Sequence, residues 1–320
     1  MPSKLEQLKT MTTVVADTGN FDEVKQFKPQ DATTNPSLIL RAAQKNEYQD
    51  LINNAITYAK DKGSACNKLH LATTKLMVNF GQSLLQVVPG YVSTEVDPRY
   101  SYDTESTIKE ARHIIKLYEE SGTSRDRILI KIASTWEGIC AAQVLEKEGI
   151  KCNMTLIFCL EQAAACGEVG ATLISPFVGR ILDWYKAQTG KEYTAQDDPG
   201  VLSVKQIFNY LLGHQYKTIV MGASFRNQGE IEELAGCDRL TISPALLSSL
   251  DSDNDTLTQK LDGKNVDSDD IPPKIAFEKD AFTTAINNNP MAIDKLENGI
   301  TLFSKDTLEL ENLLKARLEI

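Results

Sequence analysis

The stretch DRILIKIAS, Asp126 to Ser134, reads as a strand with an ammonium group in its middle. If Ile128, Ile130 and Ile132 face one way, Leu129, Lys131 and Ala133 face the other, because successive side chains of a strand alternate. Aliphatic residues on both faces mark a parallel sheet covered by helices, where a fully buried lysine is costly. Lys131 therefore either sits near a strand end with its charge in water or is kept for its chemistry. Burial lowers a lysine's pKa, and the neutral amine attacks carbonyl groups.

Seven further runs of this kind flank it: TVVADTG from Thr13, QDATTNP from Gln30, VSTEVD from Val92, CNMTLIF from Cys152, TLISPFVG from Thr172, TIVMGASF from Thr218 and RLTISP from Arg239. Amphipathic stretches lie between most of them, such as TESTIKEARHIIKLYEES and WEGICAAQVLEKEG, the latter closed by Gly149 as a C-terminal cap. Eight strands alternating with helices predict an α/β fold, a closed (β/α)8 barrel with extra helices. Asn35-Pro36, Ser175-Pro176 and Ser243-Pro244 each read as a strand-to-helix turn, a capping side chain followed by proline at the first helical position. Two helical patterns separate the second and third strands, one more than a minimal barrel needs. The acidic stretch from Asp251 to Lys274 reads as an irregular excursion, and a helical tail from Met291 is expected to pack on the barrel's outside. No linker cuts the chain, so residues 1–320 are taken as one domain.

At 320 residues and 42% hydrophobic content the chain is long enough for one such barrel. The N-terminus lacks the apolar region of a signal peptide and no later run is long enough to span a bilayer, which predicts a cytoplasmic protein. Cys66, Cys140, Cys152, Cys159, Cys166 and Cys237 have no CxxC pairing and read as thiols of a reducing compartment. Sequons at Asn153 and Asn254 carry no glycan on that reading. The net charge of -10, without a basic stripe, argues against nucleic acid, and an anionic ligand would need locally placed arginines.

Reacting groups of a barrel come from the carboxyl ends of its strands. Here those positions hold Asp17, Asn35, Glu95, Lys131, Asn153, Thr155, Ser175, Ser224 and Arg226, with Arg180 after Gly179. Singly, each has a structural explanation: Asn35 and Ser175 as helix caps, Asp17 as a turn former, Asn153 and Thr155 as strand-edge hydrogen bonders, Glu95 with Lys131 as an ion pair. Such explanations do not predict that so many polar groups fall at equivalent barrel positions. Arg180 and Arg226, aided by Ser175 and Ser224, form a candidate phosphate clamp. No P-loop, HExxH or GxGxxG motif is present. His70, His113 and His214 fall in helical or loop patterns and make neither a triad nor a metal cluster, and Cys66 with His70 is too little for zinc.

The blocks VVADTG, DATTNPSLIL, STEVD, ILIKIASTWEGI, CNMTLIF, ISPFVGRILDWY, VMGASFRN, AGCDRLTISPALL and PMAIDKLENGI, in this order, resemble the transaldolase family over nearly the whole chain. The length suits the classical transaldolases better than the shorter fructose 6-phosphate aldolases of the same fold. The resemblance implies a class I, Schiff-base enzyme of the pentose phosphate pathway, with sugar phosphates as substrates, no metal or organic cofactor, and a homodimer. It makes Lys131 the Schiff-base lysine, Asp17 the acid/base of carbon–carbon cleavage, and Glu95 the carboxylate acting through a water, which Thr155 helps to place. Asn35 and Asn153 would hold hydroxyls of the bound three-carbon unit. Ser175, Phe177, Arg180, Ser224 and Arg226 would bind the donor and its phosphate. The alternatives are an aldolase that releases free dihydroxyacetone, and a sugar-phosphate-binding barrel without chemistry.

Overall fold

In the computed structural model, which describes residues 2–64 and 66–319, all eight expected strands form. They are β1 (Thr13–Asp17), β2 (Asp31–Thr33), β3 (Val92–Glu95), β4 (Ile128–Ala133), β5 (Cys152–Ile157), β6 (Leu173–Pro176), β7 (Ile219–Gly222) and β8 (Arg239–Ile242). Each pairs in parallel with its successor, and β8 closes on β1. Helix α1 (Lys4–Lys9) precedes the first strand and α2 (Phe21–Phe27) follows it. Three helices follow β2: α3 (Pro36–Ala43), α4 (Gln49–Lys62) and α5 (Lys68–Leu85). Helices α6 (Thr104–Glu120), α7 (Trp136–Lys147) and α8 (Leu160–Glu168) succeed β3, β4 and β5; α9 (Gly179–Thr189) and α10 (Pro199–Gly213) follow β6. Helix α11 (Gln228–Glu232) follows β7, and α12 (Pro244–Ser252), α13 (Lys279–Asn287) and α14 (Pro290–Leu318) complete the chain.

The alternation read from DRILIKIAS is realised. Ile128, Ile130 and Ile132 join the large core between strands and helices. Leu129 points the other way and meets Val15, Leu173 and Met221, an apolar plug inside the barrel. Residues two positions further along these strands, toward their carboxyl ends, face the same interior. For β1, β4 and β6 those residues are Asp17, Lys131 and Ser175. The plug thus floors a polar layer.

Two local expectations change. The first helical pattern after β2 is two helices, because Tyr48 leaves the helical path to pack its ring 4.9 Å from Phe21 and 5.4 Å from Phe80. The Ser175-Pro176 pair starts no helix. It ends β6, and α9 begins only at Gly179, because the Ser175 hydroxyl is drawn inward to satisfy the buried amide of Asn153 at 2.6 Å. Asn35 and Ser243 do precede Pro36 and Pro244 at helix starts, and Asn35 Oδ1 accepts from Leu38 N at 2.9 Å. The acidic excursion is irregular as expected beyond Ser252, its first two residues closing α12, with one short turn at Ser268–Asp270.

Helix α14 packs outside the strands against α3, α5 and α9. It also reaches the barrel mouth. A β-carbon at Gly299 would lie 2.7 Å from a Leu156 methyl and 3.3 Å from Arg180 Nη1, so only glycine lets the helix come this near. Leu156 itself has φ +57, where β5 shifts register against β6.

Candidate active site

Strand register aligns the chemistry. Glu95 pairs with Lys131 across β3 and β4, and Lys131 with Asn153 across β4 and β5, so three interior side chains stand in one row. Lys131 is 6% exposed, which rules out the snorkelling alternative. Its Nζ lies 3.2 Å from Glu95 Oε2 and donates to the Thr34 carbonyl at 3.3 Å. Asp17, at the end of β1, accepts from Thr33 Oγ1 at 3.2 Å, and Thr33 also meets Thr241 Oγ1 at 3.0 Å. Burial pushes the carboxyls of Asp17 and Glu95 above the usual carboxylate range, while the nearby Lys131 charge pulls both back down. Two acids and one amine thus share a desolvated layer.

Asn153 is fully buried between Ser93 Oγ, to which it donates at 3.0 Å, and Ser175 Oγ, from which it accepts. Its amide is therefore locked in one orientation. Among the described residues, Thr155 Oγ1 and Arg180 Nη1 are buried without a hydrogen-bond partner, and Glu95 Oε2 has none beyond its ion pair with Lys131 Nζ. Buried polar atoms are seldom left so, and all three belong to candidate site residues.

These groups surround a cavity of about 70 Å³, lined by Asp17, Asn35, Lys131, Thr155, Ser175, Phe177, Arg180 and Ser224 together with Thr33 and Phe303. Glu95 and Asn153 stand behind its wall. Wider clefts occur elsewhere, such as one of about 590 Å³ beside α4 and α5, but its lining holds no lysine or histidine to act as a nucleophile.

The arginines differ from each other. The Arg180 guanidinium is held between the rings of Phe177 and Phe303, at 5.0 and 5.3 Å, and lines the cavity. Arg226 lies exposed on the rim, outside that lining, bound to Asp183 at 2.7 Å and to Ser224 Oγ at 3.3 Å. It crosses Gly179, where a β-carbon would sit 2.5 Å from Arg226 Cγ. Ser224 has φ +63, which directs its carbonyl to Gly179 N at 2.8 Å. The expected clamp is thus one inner cation and one rim cation that has a carboxylate to give up before it holds an anion.

Thr33, Ser93 and Phe303 were not among the sequence candidates. Thr33 and Ser93 carried the signal of polar residues inside short strands, two positions before Asn35 and Glu95. Phe303 carried none, since its partners Lys131 and Arg180 lie far away in the sequence.

A buried amine between two acids, inside the open mouth of a barrel and with a guanidinium at its edge, is the equipment of an enzyme acting on carbonyl compounds through covalent attachment. The family described as Transaldolase/Fructose-6-phosphate aldolase matches residues 14–314. A transaldolase of Shewanella loihica is 55% identical over the whole of both chains, one of Schizosaccharomyces pombe 56% over 99% of each, and one of Haemophilus ducreyi 56% over 99% of this chain and all of its own. The chain belongs to the transaldolase/fructose-6-phosphate aldolase family.

Proposed function

We infer that this enzyme is a transaldolase in which Lys131 carries a dihydroxyacetone unit from a ketose phosphate, sedoheptulose 7-phosphate or fructose 6-phosphate, to an aldose phosphate, glyceraldehyde 3-phosphate or erythrose 4-phosphate. The single observation that supports the nucleophile is a buried Nζ with a carboxylate at 3.2 Å, lining a cavity at the carboxyl ends of the strands. The Lys131 amine attacks the ketose carbonyl, and loss of water gives an imine. Glu95, paired through Oε2 with the amine itself, and Thr155, whose hydroxyl has no hydrogen-bond partner among the described residues, serve that dehydration through a water. The protonated imine draws in the electron pair of the breaking carbon–carbon bond while Asp17 takes the proton of the adjacent hydroxyl. An aldose phosphate leaves and the enamine stays on Lys131. It then adds to the second aldehyde, Asp17 returns the proton, and hydrolysis frees the amine. Asn35 and Asn153 hold the hydroxyls of the three-carbon unit; Ser175, Phe177 and Ser224 shape its pocket; Arg180, with Arg226 at the rim, takes the phosphate, which keeps the carbonyl in register with the amine.

The aldolase and binding-only alternatives find no favouring observation. No helix among the described residues is long and apolar enough to cross a membrane. The six free thiols support a cytoplasmic location, the packing of α14 onto α3, α5 and α9 supports one domain over the chain, and the family resemblance supports a homodimer. Borohydride reduction with fructose 6-phosphate is expected to add one reduced three-carbon unit to the wild-type chain and none to Lys131→Met. Labelling of that variant sinks the assignment of the nucleophile. Turnover of fructose 6-phosphate without an aldose acceptor, equal to that with erythrose 4-phosphate, would favour the aldolase.

A further inference from the structure

Two histidines that the sequence left apart come together outside the barrel. Glu110 and His113, spaced i,i+3, share one face of α6, and His70 and Thr74, spaced i,i+4, share one face of α5. These helices pack on each other. His70 Nε2 then lies 2.9 Å from Glu110 Oε2, and His113 Nδ1 lies 3.8 Å from the same oxygen. One donor atom from each residue falls within 4.8 Å of the other two, the one such group of three found among the described residues. The sequence reading made no metal cluster of the histidines; helix packing, which no spacing within α5 or α6 could announce, brings the three side chains together.

We propose that His70, Glu110 and His113 bind a divalent first-row transition-metal cation of the zinc type, with Thr74 orienting the carboxylate. Bonds of about 2.0–2.1 Å in a tetrahedral zinc site separate the donors by about 3.3 Å, so the two distances to Glu110, 2.9 and 3.8 Å, need shifts of a few tenths of an ångström, and the two imidazole donors, within 4.8 Å of each other, close by side-chain rotation. Thr74 Oγ1 donates to Glu110 Oε1 at 2.8 Å, which leaves Oε2 as the ligand and fixes its direction. Glu110 is buried at the base of the group, while the imidazoles, 33% and 25% exposed, leave an entry path and a fourth position for water. Two imidazole nitrogens and one carboxylate suit zinc, cobalt, nickel or copper and not calcium or magnesium, which take oxygen. The nearby Arg99 does not compete for Glu110, because its guanidinium is engaged by Asp97 and Glu311. None of the three ligands lines the cavity around Lys131. The plain alternative is that His70 and Glu110 form only an ion pair.

The test is calorimetric titration of the tag-free, chelator-treated full chain with zinc chloride, repeated with cobalt chloride and read by visible absorption. One equivalent is expected to bind saturably, to give the intense bands of a four-coordinate cobalt site, and to raise the unfolding midpoint. His113→Asn is expected to weaken binding by at least about tenfold and Thr74→Val by about tenfold, Cys66→Ser by nothing. Both ligand-side variants are checked for a wild-type circular dichroism spectrum, and Thr74→Val, nearly isosteric, carries the test if His113→Asn folds poorly. Absence of a saturable equivalent, wild-type affinity in both variants, or loss of binding in Cys66→Ser overturns the proposal.

Discussion

Lys131 and Glu230 show how a single buried ionisable group is tolerated in two ways. Lys131 has the Glu95 carboxylate and the Thr34 carbonyl around it, so its position costs desolvation that one ion pair offsets in part. Glu230 has no ion pair among the described residues. It accepts from Arg226 N at 2.7 Å and from Asn227 Nδ2 at 3.2 Å, and lies beside Asp198, whose near neighbour in charge is Lys186. Burial, with Asp198 adding to it, pushes the Glu230 carboxyl up to about 7 against an ordinary 4.5, although the bond from Arg226 N opposes the shift. A raised folded value means that the native chain holds a proton the unfolded chain has lost. The stabilisation is complete below the ordinary value and disappears as pH rises through about 7. Glu230→Gln keeps the acceptor and removes the titration. Between about pH 5 and 8 the wild-type unfolding midpoint is expected to fall more steeply than that of the variant, and parallel profiles in a thermal scan would refute the assignment.

Helix α14 is the element whose role is least expected from its pattern. Its Gly299 permits close approach to Leu156 and Arg180, and Phe303 then supplies the second ring against the Arg180 guanidinium, 5.3 Å from its centroid, as well as a face 5.9 Å from Lys131 Nζ. A buried cation–aromatic contact is worth about 2 kcal/mol or less, so its loss corresponds to some tenfold in binding. Phe303→Ala is therefore expected to raise KM for phosphorylated donors several-fold while leaving reductive trapping by free dihydroxyacetone near the wild-type yield. Equal losses for both ligands in steady-state and trapping measurements would deny the ring a part in holding Arg180.

For the molecule as a whole, the same helix closes a second core. Leu310 and Leu314 fill the space among Ile39, Ile52 and Phe80, while Leu296, Ile300 and Phe303 join the main core. At about 1.5–3 kcal/mol for each buried side chain, these five contribute about 7–15 kcal/mol, which is comparable to the entire net stability of a domain. Truncation before Pro290 is expected to abolish the cooperative thermal transition and not merely to lower it. A truncated chain that still melts sharply by calorimetry would mean that the barrel stands without its terminal helix, and that the chain is not one domain.

Period-two alternation sufficed to foresee the barrel: a strand apolar on both faces has to be covered on one side by helices and closed on the other, and eight such strands leave few alternatives. The same alternation put Asp17, Glu95, Lys131, Asn153 and Thr155 on interior faces near strand ends, since side-chain direction along a strand is a local property. Ser175 was legible as a polar group at a strand end but not in its task, because whether a hydroxyl caps a helix or meets a buried amide depends on the neighbouring strand's register. The same is true of Arg226, whose partner Asp183 lies on another element, and of Phe303, which reaches the cavity only after α14 has crossed the barrel. The meeting of His70 with Glu110 and His113 was likewise decided by tertiary packing, as it joins two helices at an angle and separation that neither helix encodes. Local direction follows from backbone geometry; which groups meet is settled by how distant segments bury their apolar faces together.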